Sequence, residues 1–230
     1  MNGHSVEATL PTSPATSDTR VTRRAPVRRP RRPPARADGA RADKAALILR
    51  AATRVFARRG FFSAQVADIA REAGVAAGTV YLYFRGKDDL LVSIFDRTMR
   101  EAIAEGRAAL ASVADPIDRL RSIAELHLER LGRDRDLAVV FQVELRQSTR
   151  FMEQFSATRL REYLGIIRDV IAEAQASGLV RRDVSPTVAT KVLFGALDEM
   201  ATNWVLSHRR RSLPAEAGVV VDLFLNGVKA

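Results

Sequence analysis

The sequence predicts an all-α protein, and three observations carry that prediction. Apolar residues recur at intervals of three and four along most of the chain, the spacing of one buried helix face. Two of these stretches open on a cap residue followed by proline, Asp115-Pro116 and Ser185-Pro186, an arrangement suited to the first turn of a helix. No stretch alternates apolar and polar residues as a half-buried strand does. Composition agrees: 47% of the residues are apolar but only 6% aromatic, a mixture rich in Ala, Leu, Val, Ile and Arg.

Taken in order, residues 1–42 are rich in Pro, Ser, Thr, Ala and Arg and offer almost nothing to a core, so they read as a disordered basic tail. Asp43 is the expected cap of the first helix, whose buried stripe is Ala45, Ile48, Leu49, Ala52, Val55 and Phe56 and whose end is Gly60. Two short helices follow, at 66–73 and 77–84, then a long one at 88–110. Asp115-Pro116 starts a helix with Ile117, Leu120, Ala124, Leu128 and Leu131 on one side. Asp136 opens a segment, 137–145, that is apolar nearly all round and so buried on most sides. Further helices are expected at 154–177, closed by Gly178, at 186–208, and from Ser212-Leu213-Pro214 to about 226. The predicted organisation is a tail at 1–42, a small helical domain at 43–88 and a larger one at 89–230.

The chain has no cysteine, which excludes disulfides, thiolate metal sites and cysteine nucleophiles. Only His4, His127 and His208 are present, so no multi-histidine metal site is expected. Asp198 and Glu199 are adjacent and point different ways on a helix, which makes a poor acid/base pair. With no nucleophile–base set and no phosphate loop, the chain does not read as an enzyme, and no cofactor is implied. No apolar run is long enough for a membrane span and no apolar signal segment opens the chain, so a cytoplasmic protein without membrane contact is expected. The net charge is +10. Nine arginines against Glu7, Asp18 and Asp38 place +6 of it within residues 1–41. The tail is therefore either a basic arm that follows DNA phosphates without reading sequence or simply a solvated extension.

Chemistry concentrates between Ser63 and Lys87. Two short helices flank Gly74, which suits the left-handed residue of a tight turn, and Val75 is a natural plug between them. That is a helix-turn-helix. Val66, Ile69, Ala70 and Ala73 face inward from the first helix, and Val80 and Phe84 from the second. The outward face of the second is then Gly78, Thr79, Tyr81, Leu82 and Tyr83. Its glycine admits close approach, its hydroxyls can donate to phosphates or base edges, and its leucine can meet a thymine methyl. Lys87, at the start of the next helix, is expected to meet a phosphate together with the free N–H groups there.

Residues 65–91 resemble the TetR family of one-component repressors, whose signature is Ala-Gly-Val-x-x-Gly-Thr-Val-Tyr-x-Tyr-Phe-x-x-Lys. The resemblance implies a homodimer that sets two recognition helices into successive major grooves of a palindromic double-stranded operator. It places the DNA contacts on Gln65, Ala77, Gly78, Thr79, Tyr81, Leu82, Tyr83 and Lys87. Many members carry Thr where this chain has Gln65. Gln caps a helix less well, which makes Ser63 the expected cap.

Residues 137–148 (LAVVFQVELRQS) and 194–205 (FGALDEMATNWV) resemble the TetR-type FadR regulators of fatty-acid degradation, as does the string LVSIF at 91–95. That resemblance implies a long-chain acyl-CoA effector that releases the operator. A TetR-type repressor answering another hydrophobic effector, such as a drug, is the alternative. An acyl chain needs an apolar tunnel between helices. Phe95, Met99, Phe141, Phe194, Leu197 and Trp204 are candidates to line it, and ordinary core packing accounts for the same residues. Arg146 and Arg150 are candidates for the CoA phosphates, or for pairing with Glu144 or Glu153. Glu144, a charge in an apolar helix, reads as one half of an ion pair or as a polar pocket group, and Asp198 joins the candidate effector site. His127, at the edge of its stripe, reads as a satisfied, partly buried histidine. The helices at 154–177 and 186–208 suit a four-helix dimer interface, with Gly195 allowing close approach.

Overall fold

The structure is a computed structural model that describes residues 35–147, 153, 158–207 and 212–228. Its elements in chain order are α1 (Ala35–Arg59), α2 (Val66–Glu72), α3 (Ala77–Tyr81), α4 (Lys87–Leu110), α5 (Pro116–Arg133), α6 (Arg135–Val139), α7 (Arg159–Ala176), α8 (Pro186–Leu206) and α9 (Ala217–Val228). A π turn (Val140–Glu144) and a 3-10 turn (Leu145–Gln147) prolong α6, and another 3-10 turn (Leu213–Glu216) leads into α9. Among the described residues there is no strand, as the periodicity predicts.

The first helix begins at Ala35, not at Asp43, so residues 35–42 are helix rather than part of a disordered tail. Ala and Arg, both strong helix formers, dominate this stretch, and its single Gly39 costs only about 1 kcal/mol relative to Ala. The remainder of the basic tail, 1–34, lies outside the described residues. Gly60 (φ +76°) ends α1, and Gly74 (φ +65°) makes the turn between α2 and α3. Both take the left-handed backbone that a side chain disfavours. Asp115 caps α5 as expected, its Oδ1 accepting from the backbone N–H of Ile117 at 2.7 Å and of Asp118 at 3.1 Å.

The apolar segment expected to open at Asp136 opens instead on Asp134, whose Oδ1 accepts from Leu137 N at 3.0 Å. Nor is it one α-helix: it widens into the π turn at Val140–Glu144. The wider turn shifts the register of the side chains that follow it. Gln142 thereby meets α8, and Glu144 meets the turn after α1. Both are buried, so both require the partners they find. The helix expected at 154–177 is described from Arg159, residues 154–157 lying outside the described set, and α8 ends at Leu206.

Two apolar cores result. One joins α1, α2, α3 and the first half of α4, with Phe56, Ile48, Ile69, Leu90 and Leu91 fully buried. The other joins α5, α7, α8 and α9 around Leu120, Leu128, Ile167, Ile171, Leu193 and Leu197. Burying one such side chain is worth about 1.5–3 kcal/mol. A boundary at 88/89 does not divide these cores. Leu90 to Met99 on α4, and Val140 and Leu145 beyond α6, bury in the first core while their elements continue into the second domain.

Candidate functional site

The helix-turn-helix packs as its periodicity requires. Ile69, Ala70, Ala73, Val80 and Phe84 are buried, and Val75, half-buried between the helices, donates its N–H to Ala70 O at 2.9 Å. Gln65 itself is the N-cap residue of α2, with Asp68 Oδ2 accepting from Gln65 N at 3.4 Å, so Ser63 is not the cap. The carboxylates of α2 face arginines of α1: Asp68 pairs with Arg59 at 2.7 Å, and Arg54 beside Glu72 holds its carboxyl below the usual range.

On the outer face, Gln65, Ala77, Gly78, Tyr81 and Leu82 are exposed, and Thr79 and Tyr83 are half-buried. Tyr81 is 57% exposed and Leu82 72%, so neither is held by the core. Gly78 is informative in the same way: a methyl placed on it would meet nothing within 4 Å. Among the described residues, no contact requires a glycine there. Tyr83 packs partly against the first core, and the Arg41 guanidinium stands 5.6 Å from its ring. These seven residues belong to α3, the two residues after it and the N-cap of α2.

Lys87 departs from expectation. Its ammonium donates to the backbone carbonyls of Phe61 (2.9 Å), Phe62 (2.7 Å) and Ala64 (3.2 Å), and lies 4.9 Å from the Phe61 ring. An ammonium has three hydrogens, and all are occupied within the protein rather than offered to a phosphate. Glu144 also departs. It is neither half of an ion pair nor a pocket group: its Oε2 accepts from Phe61 N at 2.6 Å and from Gln147 Nε2 at 3.3 Å. Lys87 from α4 and Glu144 from the π turn therefore grip one short turn, 60–64, from two elements that continue into the larger domain.

Those two elements also bound a largely apolar cavity. It occupies about 290 Å³ between α4, α5, the 140–146 segment, α7 and α8, close to the lower end of the range for small-molecule sites. Of the residues expected to form an effector site, Met99, Phe141, Phe194, Arg146 and Asp198 line it. Phe95 does not: it lies behind Phe141, 5.4 Å between ring centroids, in the first core. Leu197 is fully buried in the second core. Trp204 is farther along α8, under the Arg135 guanidinium at 4.8 Å, and borders a separate polar hollow. Arg150 lies outside the described residues.

The cavity rim is charged. Arg146 pairs with Asp198, which also accepts from Gln142 Nε2 at 3.0 Å, and Gln142 Oε1 accepts from Thr202 Oγ1 at 3.0 Å. Arg146 thus finds Asp198 rather than Glu144 or Glu153. Arg130 pairs with Glu105. Inside, His127 Nδ1 and the Tyr163 hydroxyl are 3.0 Å apart, while His127 Nε2 is covered and has no hydrogen-bond partner. The histidine is therefore not fully satisfied. Burial pushes its imidazole down to about 4, against the opposing pull of Asp198, and pushes the Tyr163 phenol up. Sequence reasoning passed over Gln142, Tyr163, Glu105 and Arg130. His127 and Arg130, three apart and so on one helix face, were the available signal.

Comparison with known proteins bears on both regions. Residues 48–94 match the family model described as bacterial regulatory proteins of the tetR family, and residues 95–227 match the C-terminal region of YsiA-like protein. The Bacillus subtilis fatty acid metabolism regulator protein is 34% identical over 181 residues, 79% of this chain and 93% of its own length. The fatty acid degradation regulator FadR of Bacillus halodurans superimposes with a TM-score of 0.77 at 35% identity, over 80% of this chain and 95% of that one. The Bacillus subtilis regulator FadR in complex with stearoyl-CoA does so with a TM-score of 0.76 at 33% identity, over 80% and 98%.

Proposed function

The chain belongs to the TetR family of DNA-binding transcriptional regulators, and from that premise we propose that it is a homodimeric repressor of fatty-acid degradation genes, released from a palindromic operator by a long-chain acyl-CoA. The observation that carries the effector reading is the cavity: an apolar interior with arginines at its rim, in a fold that a relative uses to hold stearoyl-CoA. Met99, Phe141 and Phe194 would surround the acyl chain, and Arg146 and Arg130 would meet the anionic head.

On the DNA side, Gln65, Ala77, Gly78, Thr79, Tyr81, Leu82 and Tyr83 would meet the major groove and its phosphates. Lys87 is not counted among them; it braces the turn that sets their angle. The dimer would form through α7 and α8. On α8, Val188 and Val192 are exposed one turn apart, and Gly195 on the same face has open space where a side chain would stand.

Coupling follows from shared elements. A ligand that spreads α4 from the 140–146 segment shifts Lys87 and Glu144 together, and with them the 60–64 turn that anchors α2. Two dimer states that differ in the separation of their recognition helices then bind operator and ligand in opposition.

The test has two stages. An operator is selected from a random duplex pool, and melting midpoints are then measured with a panel of acyl-CoA thioesters, free fatty acids and hydrophobic drugs. A rise confined to long-chain acyl-CoA is expected. A rise with drugs alone would replace the fatty-acid reading and leave the regulator reading in place.

A further inference from the structure

We infer that His127 recognises the thioester carbonyl of the effector, donating a hydrogen bond from Nε2, and so selects acyl thioesters over ligands that are merely long and apolar. This inference rests on the acyl-CoA reading of the cavity.

Nε2 of His127 is shut off from solvent and makes no hydrogen bond, although the residue lines the cavity. Buried polar atoms are nearly always paired, and an exception calls for a reason. The Phe194 ring, 5.7 Å away between centroids and almost perpendicular, offers no lone pair. Most of the remaining wall, including Ile123, Leu126, Ile166 and Ile167, is hydrocarbon.

The tautomer follows from counting hydrogens. The imidazole is neutral at pH 7, because burial holds it down at about 4, and the Tyr163 phenol is protonated. The pair therefore has one hydrogen on the ring and one on the phenol. If Tyr163 donates to Nδ1, a single group, Nε2–H, is left over. If Nδ1 donates instead, both the phenol hydrogen and the Nε2 lone pair are left over. The first arrangement leaves fewer groups unpaired, so Nε2 is the donor.

Position makes the matching group specific. Arg146 stands at the rim, its side chain 43% exposed, paired with Asp198 at 16%. Asp198 is close enough to act on His127 electrostatically, and Phe194 and Ile167 line the same cavity. The cavity thus brings together a cation, a neutral donor and hydrocarbon. An acyl-CoA carries the matching parts: anionic head, thioester carbonyl, alkyl chain. The carbonyl oxygen is the acceptor that adjoins the alkyl chain, and so the one that a donor in a mostly hydrocarbon wall would meet.

The test compares stearoyl-CoA with its S-alkyl thioether, which has CH2 in place of the carbonyl, by calorimetric titration of the full chain. The wild type should bind the thioester roughly tenfold more tightly, the worth of one buried hydrogen bond. His127→Phe should bind the two alike, and His127→Gln, which keeps an N–H donor, should retain part of the preference. Equal binding of both ligands by the wild type would overturn the inference and leave the acyl-CoA reading standing. So would an undiminished preference in His127→Phe. Binding of neither ligand by the wild type would remove the acyl-CoA reading and this inference with it.

Discussion

The recognition surface and the cavity use their polar groups in opposite ways. On α3, Thr79 and Tyr81 carry hydroxyls that no other described residue engages, beside a glycine whose bareness serves nothing within the chain. Around the cavity nearly every polar group is occupied: Arg146 by Asp198, Gln142 by Asp198 and Thr202, Arg130 by Glu105. One surface is complete only against a partner. The other is largely complete in itself, and His127 Nε2 stands out against that background. Residues of the first kind should therefore change binding without changing stability, and most of the second kind should change both.

The largest separation of the two is expected at Tyr81. Tyr81→Ala should lower specific operator affinity by roughly a hundredfold, with an unchanged melting midpoint, and Thr79→Ala should act in the same direction. A fall in the midpoint would place these side chains in the fold rather than at the interface. Lys87 tests the comparison from the other side. Lys87→Ala removes charge-assisted bonds to three carbonyls and should cost about 3 kcal/mol of stability, read as a lower midpoint of denaturation. If the midpoint instead holds and the salt dependence of DNA binding flattens by about one unit, the ammonium belongs to the phosphate side after all.

Glu144 lies between the two regions. Glu144→Ala should still bind effector, but the factor by which effector weakens operator binding should shrink about tenfold, measured as the ratio of operator affinities with and without ligand. Full retention of that ratio would remove the π turn from the coupling route. A last effect expected is one of pH. The folded-state value of His127, about 4, is depressed below the ordinary 6.5. The unfolded chain then binds more protons in that window, so stability present above pH 6.5 is lost as pH falls towards 4. The midpoint of His127→Phe should fall less steeply over the same interval, and parallel curves would mean that the imidazole is not protected in the fold.

The difference between the regions also decides what was legible beforehand. The helix-turn-helix could be read because its constraints are local: Gly74 at a left-handed position, Val75 as a plug, and the stripe from Val66 to Ala73 are visible within one short window. Helix starts at Asp115-Pro116 and Ser185-Pro186 could be read for the same reason. The start at Ala35 could not, because composition alone did not separate an Ala/Arg helix from an Ala/Arg tail. At the cavity, partners lie far apart in sequence. Glu144 finds Phe61 at a separation of 83 residues, and Arg146 finds Asp198 at 52. Periodicity marked Phe95, Leu197 and Trp204 as buried, which Phe95 and Leu197 are, but it cannot say which buried side chain borders empty space.

The central claim is that the cavity and the recognition surface report to one another through the elements that grip residues 60–64. The most direct test is fluorescence anisotropy of a labelled operator duplex bound to the full chain, titrated with stearoyl-CoA. Release is expected at micromolar ligand, with half-release moving to higher ligand as protein concentration rises. An anisotropy that stays at its bound value, while calorimetry on the same sample shows the ligand bound, would contradict it.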